Sequence, residues 1–176
     1  MPNPIPISKE AVKKALEKAD HYRLLNEPAQ AESICRDIVA VDPDNEQAWI
    51  YLLLAITDQF PENMSHAFEQ AKEALNHVKG DYHKAYYQGI IHERWGRASL
   101  QHERGIQAVQ GWINQAMRNY EKAMELAPEG DPDPTLRLNT CARLQDKIAS
   151  KSEVRHVGVR DLCSEYDEVP QRGRDF

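Results

Sequence analysis

Ala31-Glu32-Ser33-Ile34-Cys35-Arg36-Asp37-Ile38-Val39-Ala40-Val41-Asp42-Pro43 is the stretch on which the fold turns. Ala31, Cys35 and Ile38 share one helical face, and Pro43 closes the segment. The offsets between these residues, 4, 3 and 5, recur at Ala116, Tyr120, Ala123 and Pro128. They recur again at Ala67, Ala71, Ala74 and Lys79, where Lys79-Gly80 replaces the proline. A new helix is due six residues after the first two closing members, at Trp49 after Pro43 and at Ala85 after Lys79. Self-similarity of this kind marks a chain built by repeating one supersecondary unit.

Outward from these anchors the chain divides into seven helical segments, and strand signals are nearly absent from 8 to 149. Ser8 can cap a first helix that runs to about Leu25, with Glu10 favourably placed in its first turn. Pro28 opens the second, which stops before Asp42-Pro43, and Asp44 with Gln47 resembles a capping box for the third. Phe60-Pro61 ends the third, Asn63 can start the fourth, and Lys79-Gly80 ends it. Asp81 can cap the fifth, Ala127-Pro128 ends the sixth, and Asp133-Pro134 opens a seventh reaching about Ser150. Residues 150–176 change composition, with Gly158, Pro170 and Gly173 among mixed charges, and read as an extended or disordered tail after a helical domain over 8–149.

The spaced residues resemble the tetratricopeptide repeat (TPR), a helix-turn-helix unit of about 34 residues. Ala19, Tyr22, Ala31, Cys35, Ile38 and Pro43 match its pattern in a first copy, and Trp49, Leu52, Ala67, Ala71 and Ala74 in a second. A third copy supplies Ala85, Gly89, Gly96, Ala116, Tyr120, Ala123 and Pro128, with Gly96 assigned to the turn between its helices. The closing members lie 36 and 49 residues apart, so the second copy carries two extra residues and the third fifteen, at 97–111. That insertion is expected to lengthen two helices into a protruding hairpin turning at Gly105. Leu53 stands where a small residue belongs, which is expected to hold the second pair of helices further apart. The resemblance implies an all-α, right-handed superhelical α-solenoid of three helix-turn-helix repeats plus a C-terminal capping helix. It also implies that Gly89 lies against Ala116. In the cap, Leu136, Leu138, Cys141, Leu144 and Ile148 would cover the last repeat, while Arg137, Arg143, Asp146 and Lys147 face water.

Composition narrows the function. Of 176 residues, 22 are Lys or Arg and 28 are Asp or Glu, a net charge of −6 that argues against nucleic-acid binding. No apolar run approaches the ~20 residues of a membrane span, and no secretory leader is visible, so the expected site is the cytoplasm. Cys35, Cys141 and Cys163 form no Cys-x-x-Cys pair, which suits a reducing compartment. His92-Glu93 and His102-Glu103 lack the second histidine of a zinc helix, and no phosphate-cradling loop or nucleophile elbow occurs. No catalytic residue, metal site or cofactor is expected. Asn63-Met64-Ser65 reads as a helix start rather than a glycosylated sequon.

By the same resemblance, the first helix of each copy lines a concave groove. Lys13, Leu16, Asp20, Arg23 and Leu24 come from the first, and Gln47, Ile50, Tyr51, Leu54, Thr57 and Asp58 from the second. The third contributes His83, Tyr86, Tyr87, Ile90, Glu93 and Arg94. Ile50, Leu54, Tyr86 and Ile90 would form an exposed apolar and aromatic stripe, the kind of patch that marks an interaction site. The implied function is a non-catalytic adaptor, scaffold or assembly factor that binds a segment of another protein in this groove. Ile50, Tyr51, Leu54, His83, Tyr86, Tyr87, Ile90 and Arg94 are the candidate contacts. Two alternatives stay open: the insertion or the tail covers the stripe, or a second copy does, making a self-associating structural subunit. Val154, Val157, Val159 and Leu162 could anchor such a tail, but its charge and glycine favour an open groove. The family's carboxylate clamp needs Lys and Asn, then Asn, then Lys and Arg, at positions that here hold Leu16, Asp20, Tyr51, His83 and Tyr87. The chain therefore resembles a non-clamp member.

Overall fold

A computed structural model of the chain describes residues 4–62, 66–102 and 105–164, with side chains through residue 150. Within them the chain is all-helical, with no strand. A 3₁₀ turn at Lys9–Ala11 leads into α1 (Val12–Leu24), followed by α2 (Pro28–Val41), α3 (Glu46–Asp58) and α4 (Ala67–Asn76). The long pair α5 (Asp81–Gln101) and α6 (Ile106–Leu126) comes next, and α7 (Asp133–Ser164) ends the described chain. Each helix packs on the next, and α3 also touches α1 and α5. That packing is consistent with a helical repeat.

Local chemistry explains the boundaries. Asn26, at φ 59°, ends α1 in a left-handed conformation that asparagine tolerates better than most residues. Pro28 then sits at the first position of α2, where its missing N–H costs nothing. The cap of α3 is one residue later than the capping box suggested. Asn45 Oδ1 accepts from the Ala48 amide at 3.1 Å, and Asn45 Nδ2 donates to Asp42 at 2.8 Å. Gly80, at φ 76°, supplies the turn into α5, and Asp81 is the first helical residue rather than the cap. Ala127 is extended because Pro128 follows it, and α6 ends there. The proposed start at Asn63 and the 63–65 sequon lie outside the described residues.

Small residues sit where the pairs need them. Ala19 of α1 and Ala31 of α2 are fully buried. Leu53 is also fully buried, in one cluster with Ala67, Ala71 and Ala74 of α4, so the small residues of the second helix leave room for the large one of the first. In the third pair Gly89 meets Tyr120: a Cβ built on it would fall 2.5 Å from Tyr120 Cε1. Gly96 is not in a turn but in the middle of α5, where an added Cβ would meet Ile113 Cδ1 at 2.8 Å. Two glycines seven residues apart thus open one face of α5 to the bulky side of α6.

The insertion does form two lengthened helices that turn next to Gly105. Its base is buried through Ala98, Ser99 and Val109. Trp95 and Trp112 pack around Phe68, with ring centroids at 4.8 and 5.2 Å, and Phe60 meets Trp95 edge-on at 5.1 Å. His102 Nε2 lies 2.8 Å from the Pro61 carbonyl. The two tryptophans that flank the extra turns cover the Phe60 and Phe68 rings beside the short α4.

On the other side of the pair, Leu138, Cys141, Leu144 and Ile148 of α7 join the cluster of Val109, Ile113, Ala116 and Tyr120. Leu136 is 58% exposed and takes no part in that cover. Burial pushes the Cys35 and Cys141 thiols up to about 12, so both are protonated packing residues. The helix continues to Ser164 instead of giving way to an extended segment near 150. Between 150 and 164 only Gly158 disfavours a helix, at about 1 kcal/mol, and the first proline is Pro170. Docking of Val154, Val157, Val159 or Leu162 lies outside the described side chains, and 165–176 outside the described residues.

Two predictions follow from this packing. Gly89→Leu and Gly96→Leu should each destabilise the domain by roughly 1–3 kcal/mol through overpacking. Gly111→Ala, on an open part of α6, should raise stability by up to about 1 kcal/mol; urea unfolding of the three variants checks the register. The second concerns His92, whose burial beside Lys72 and Arg118 lowers its pKa. Its neutral form is favoured in the fold, so its contribution is complete above the unfolded value and is lost as pH falls through about 6.5 and below. Replacing it (His92→Gln) should flatten part of the decline in melting temperature between about pH 7 and 5.

Candidate partner-binding face

The face built by α1, α3 and α5 has a charged floor. Asp58, at the end of α3, is held from both sides. Its Oδ2 accepts from Arg23 Nε of α1 at 3.2 Å, and its Oδ1 lies 2.7 Å from Arg94 Nη1 of α5. Arg94 Nη1 also donates to the Leu54 carbonyl at 3.0 Å and to Thr57 Oγ1 at 2.5 Å. A cation at this end of α3 also meets the negative pole of the helix dipole. One carboxylate thereby ties three helices that are not consecutive in sequence.

Turns fix the opposite edge. Glu46 Oε1 accepts from the Lys79 amide at 2.8 Å and stands 3.8 Å from His83 Nδ1. The Tyr82 hydroxyl donates to Asp131, which also accepts from the Asp133 amide at 3.0 Å and so shapes the entry to α7. Between the two edges runs a series of rings. Tyr86 lies 6.1 Å from Tyr82, 5.3 Å from Tyr87 in an edge-on contact, and 6.0 Å from the buried Tyr120. Burial raises the Tyr86 pKa, and the nearby Arg137 of α7 works against that rise. Burial pushes Tyr87 up to about 12, so it is a neutral phenol at any physiological pH.

The candidate contacts divide into three groups. Ile50 and Ile90, 6% and 2% exposed, belong to the core and not to an open stripe. Tyr51, Leu54, Tyr86, Tyr87 and Arg94 are half-buried, each with one side in the core and one side outward, and His83 is exposed. Glu93, expected in the groove, is 2% exposed at the junction of α5, α6 and α7. There it accepts from Tyr120 at 2.8 Å and Arg97 at 3.0 Å, with Arg137 at 3.6 Å. Arg137, expected to face water, is drawn inward by this buried carboxylate. Its role could not be read from the repeat because it lies on the cap. The Arg23–Asp58–Arg94 tie did leave a signal: the three residues are 35 and 36 residues apart, the repeat spacing itself, with alternating charge.

Among the described residues no group of His, Cys, Asp and Glu is arranged to hold a metal ion, and no helix is long and apolar enough to cross a membrane. What the face offers is a row of half-exposed rings over a set of held guanidiniums. Those are the residue types that dominate protein interfaces.

Removing Asp58 leaves two guanidiniums without their shared counter-ion. Asp58→Ala should cost roughly 1–3 kcal/mol, below the ~3–5 kcal/mol of a fully buried pair because the partners keep some solvent contact. Asp20, 3.9 Å from Arg23 and 42% exposed, should cost no more than about 1 kcal/mol when replaced by Ala. Thermal unfolding of the two variants separates the tie from an ordinary surface pair.

Comparison with protein-family models, with curated proteins and with solved structures gives no match to this chain, so the reading of the face rests on its own geometry.

Proposed function

We propose that this chain is a TPR-like, non-catalytic interaction module, an adaptor or assembly factor. In this reading three helix pairs form a right-handed superhelical solenoid capped by α7, and the face of α1, α3 and α5 binds an extended segment of another protein. The observation that supports it is the half-burial of Tyr51, Leu54, Tyr86 and Tyr87: each ring or side chain is held by the core and keeps one side for a ligand. Rigid aromatic groups of this kind lose little entropy on binding. The buried free thiols Cys35 and Cys141 suit a reducing compartment such as the cytoplasm. The alternative reading, a subunit that self-associates through the same face, is distinguished by light scattering of the purified chain.

A photo-crosslinking amino acid at position 83 or 87 should capture a partner in the native host, and one at the exposed Glu121 on α6 should not. The double variant Tyr51→Ala, Tyr87→Ala should lower affinity for that partner at least about tenfold, or ~1.4 kcal/mol. Equal capture from all positions, or unchanged affinity, would remove this face as the site. Ile90→Ala is not a suitable probe, since its side chain is in the core and its loss would cost roughly 2–5 kcal/mol of stability.

A further inference from the structure

The junction of α4 with the α5–α6 pair is built around a buried histidine, His92 of α5. Its ring stacks on Phe68 of α4 at 6.2 Å and lies 5.6 Å from the Trp112 ring of α6. Asn119 Nδ2 of α6 stands 3.2 Å from its Nδ1, and the Gln88 amide of α5 lies 3.1 Å from its Nε2. We infer that this junction is an acid-sensitive latch: protonation of His92 lets α4 separate from α5 and α6 while the rest of the stack stays folded. The hydrogen bonds fix the polarity of the site. Asn119 Nδ2 also donates to the Gln115 carbonyl at 2.7 Å, so the amide nitrogen, not the oxygen, faces the ring. Nδ1 therefore accepts and carries no proton. A neutral imidazole has one donor and one acceptor, so Nε2 holds the hydrogen and Gln88 turns its amide oxygen toward it.

A second proton on the ring meets two obstacles. The new N–H at Nδ1 would point at the Asn119 amide N–H, donor against donor. Its charge would join Lys72 of α4 and Arg118 of α6, the cations that, among the described residues, act on the ring. The carboxylates nearby are committed elsewhere. Glu69 of α4 pairs with Lys72 at 3.1 Å on the outside, and Glu93 of α5 is held by Tyr120, Arg97 and Arg137. The Phe68 ring, which could receive a cation, already has Lys72 Nζ 5.7 Å from its centroid. Of the three helices at the junction, α4 is the one that yields. Gly89 and Gly96 seat α5 closely on α6. By contrast α4 has 10 residues and begins at His66 without a side-chain cap, and helices below ~12–15 residues are marginal on their own. It reaches the α5–α6 pair through the Phe68 ring. Its departure carries Lys72 away from the ring and admits water to the imidazolium. The acid effect is thus local to one element, as expected for a unit of low local stability.

The test is hydrogen exchange of the full chain, read by mass spectrometry at about pH 7.5 and about pH 5.5 and corrected for the intrinsic pH dependence of exchange. In the open form the ring titrates at its ordinary value, about 6.5, so an opening that the closed form resists by excluding the proton grows up to about tenfold between the two conditions. The amides of Phe68–Asn76 should lose protection several-fold and at most by about that factor, while those of α1 and α2 keep theirs. His92→Asn, whose side chain can still accept from Asn119 but does not titrate, should remove the difference. Should that variant fail to fold, nitrogen NMR of the wild-type imidazoles decides: at about pH 7.5 His92 should carry its proton on Nε2 and have a bare Nδ1. Equal protection of α4 at both pH values would overturn the inference. So would an equal loss from all helices, a proton on Nδ1 in the neutral form, or a difference that persists in His92→Asn.

Discussion

A pair of helices joined by a short turn has two apolar sides and can bury only one against itself. The rest of this structure depends on that constraint. Ala19, Ala31, Leu53 with its facing alanines, and the glycines of α5 close the inner side of each pair. The outer sides are then closed by the next pair, which is why α3 touches α1 and α5 as well as its own neighbours. Stability in such a stack comes from nearest neighbours, and each layer relies on the one that follows it. The α5–α6 layer is covered by α7 through Leu138, Cys141, Leu144 and Ile148.

The α5–α6 pair shows how closely backbone approach and side-chain size are matched. Gly89 and Gly96 admit Tyr120 and Ile113 into space that a methyl group would fill. Tyr120 uses this depth to bring its hydroxyl to the buried Glu93, and Glu93 in turn draws in Arg97 and Arg137. A buried carboxylate is tolerable only with such a set of partners. The glycine at one helix face therefore sets the position of a charge network that reaches the cap. Packing continues at the base of the extra turns, where Trp95 and Trp112 flank the insertion and cover the Phe60 and Phe68 rings and Ala98 and Val109 are buried.

The face of α1, α3 and α5 combines both tasks. Its rings are partly core, so they are held in place, and its arginines are partly paired, so their desolvation is offset within the fold. Such preorganisation lowers the ordering cost of binding. It also explains why the apolar stripe anticipated at Ile50 and Ile90 is not open. A residue whose side chain points between two stacked helices is consumed by the stack, and only its neighbours one position away keep an outward side.

The amino-acid sequence by itself determined the helical class, the pairing of helices, the repeat spacing and the long α5–α6 hairpin. These follow from local rules: apolar periodicity, small residues at fixed offsets, and prolines and glycines at the ends. It also held the Arg23–Asp58–Arg94 alternation, as charges recurring at the repeat distance. Only the tertiary structure decided that Gly89 admits the Tyr120 ring, that Gly96 lies within a helix, and that Trp95 and Trp112 close over Phe68. The same holds for the burial of Ile50, Ile90 and Glu93 and for the inward turn of Arg137. Each of these depends on which residue from a distant part of the chain arrives at a given surface, and a one-dimensional spacing does not carry that depth. A helical face shows which residues point the same way; what covers them is set by the helix packed on top.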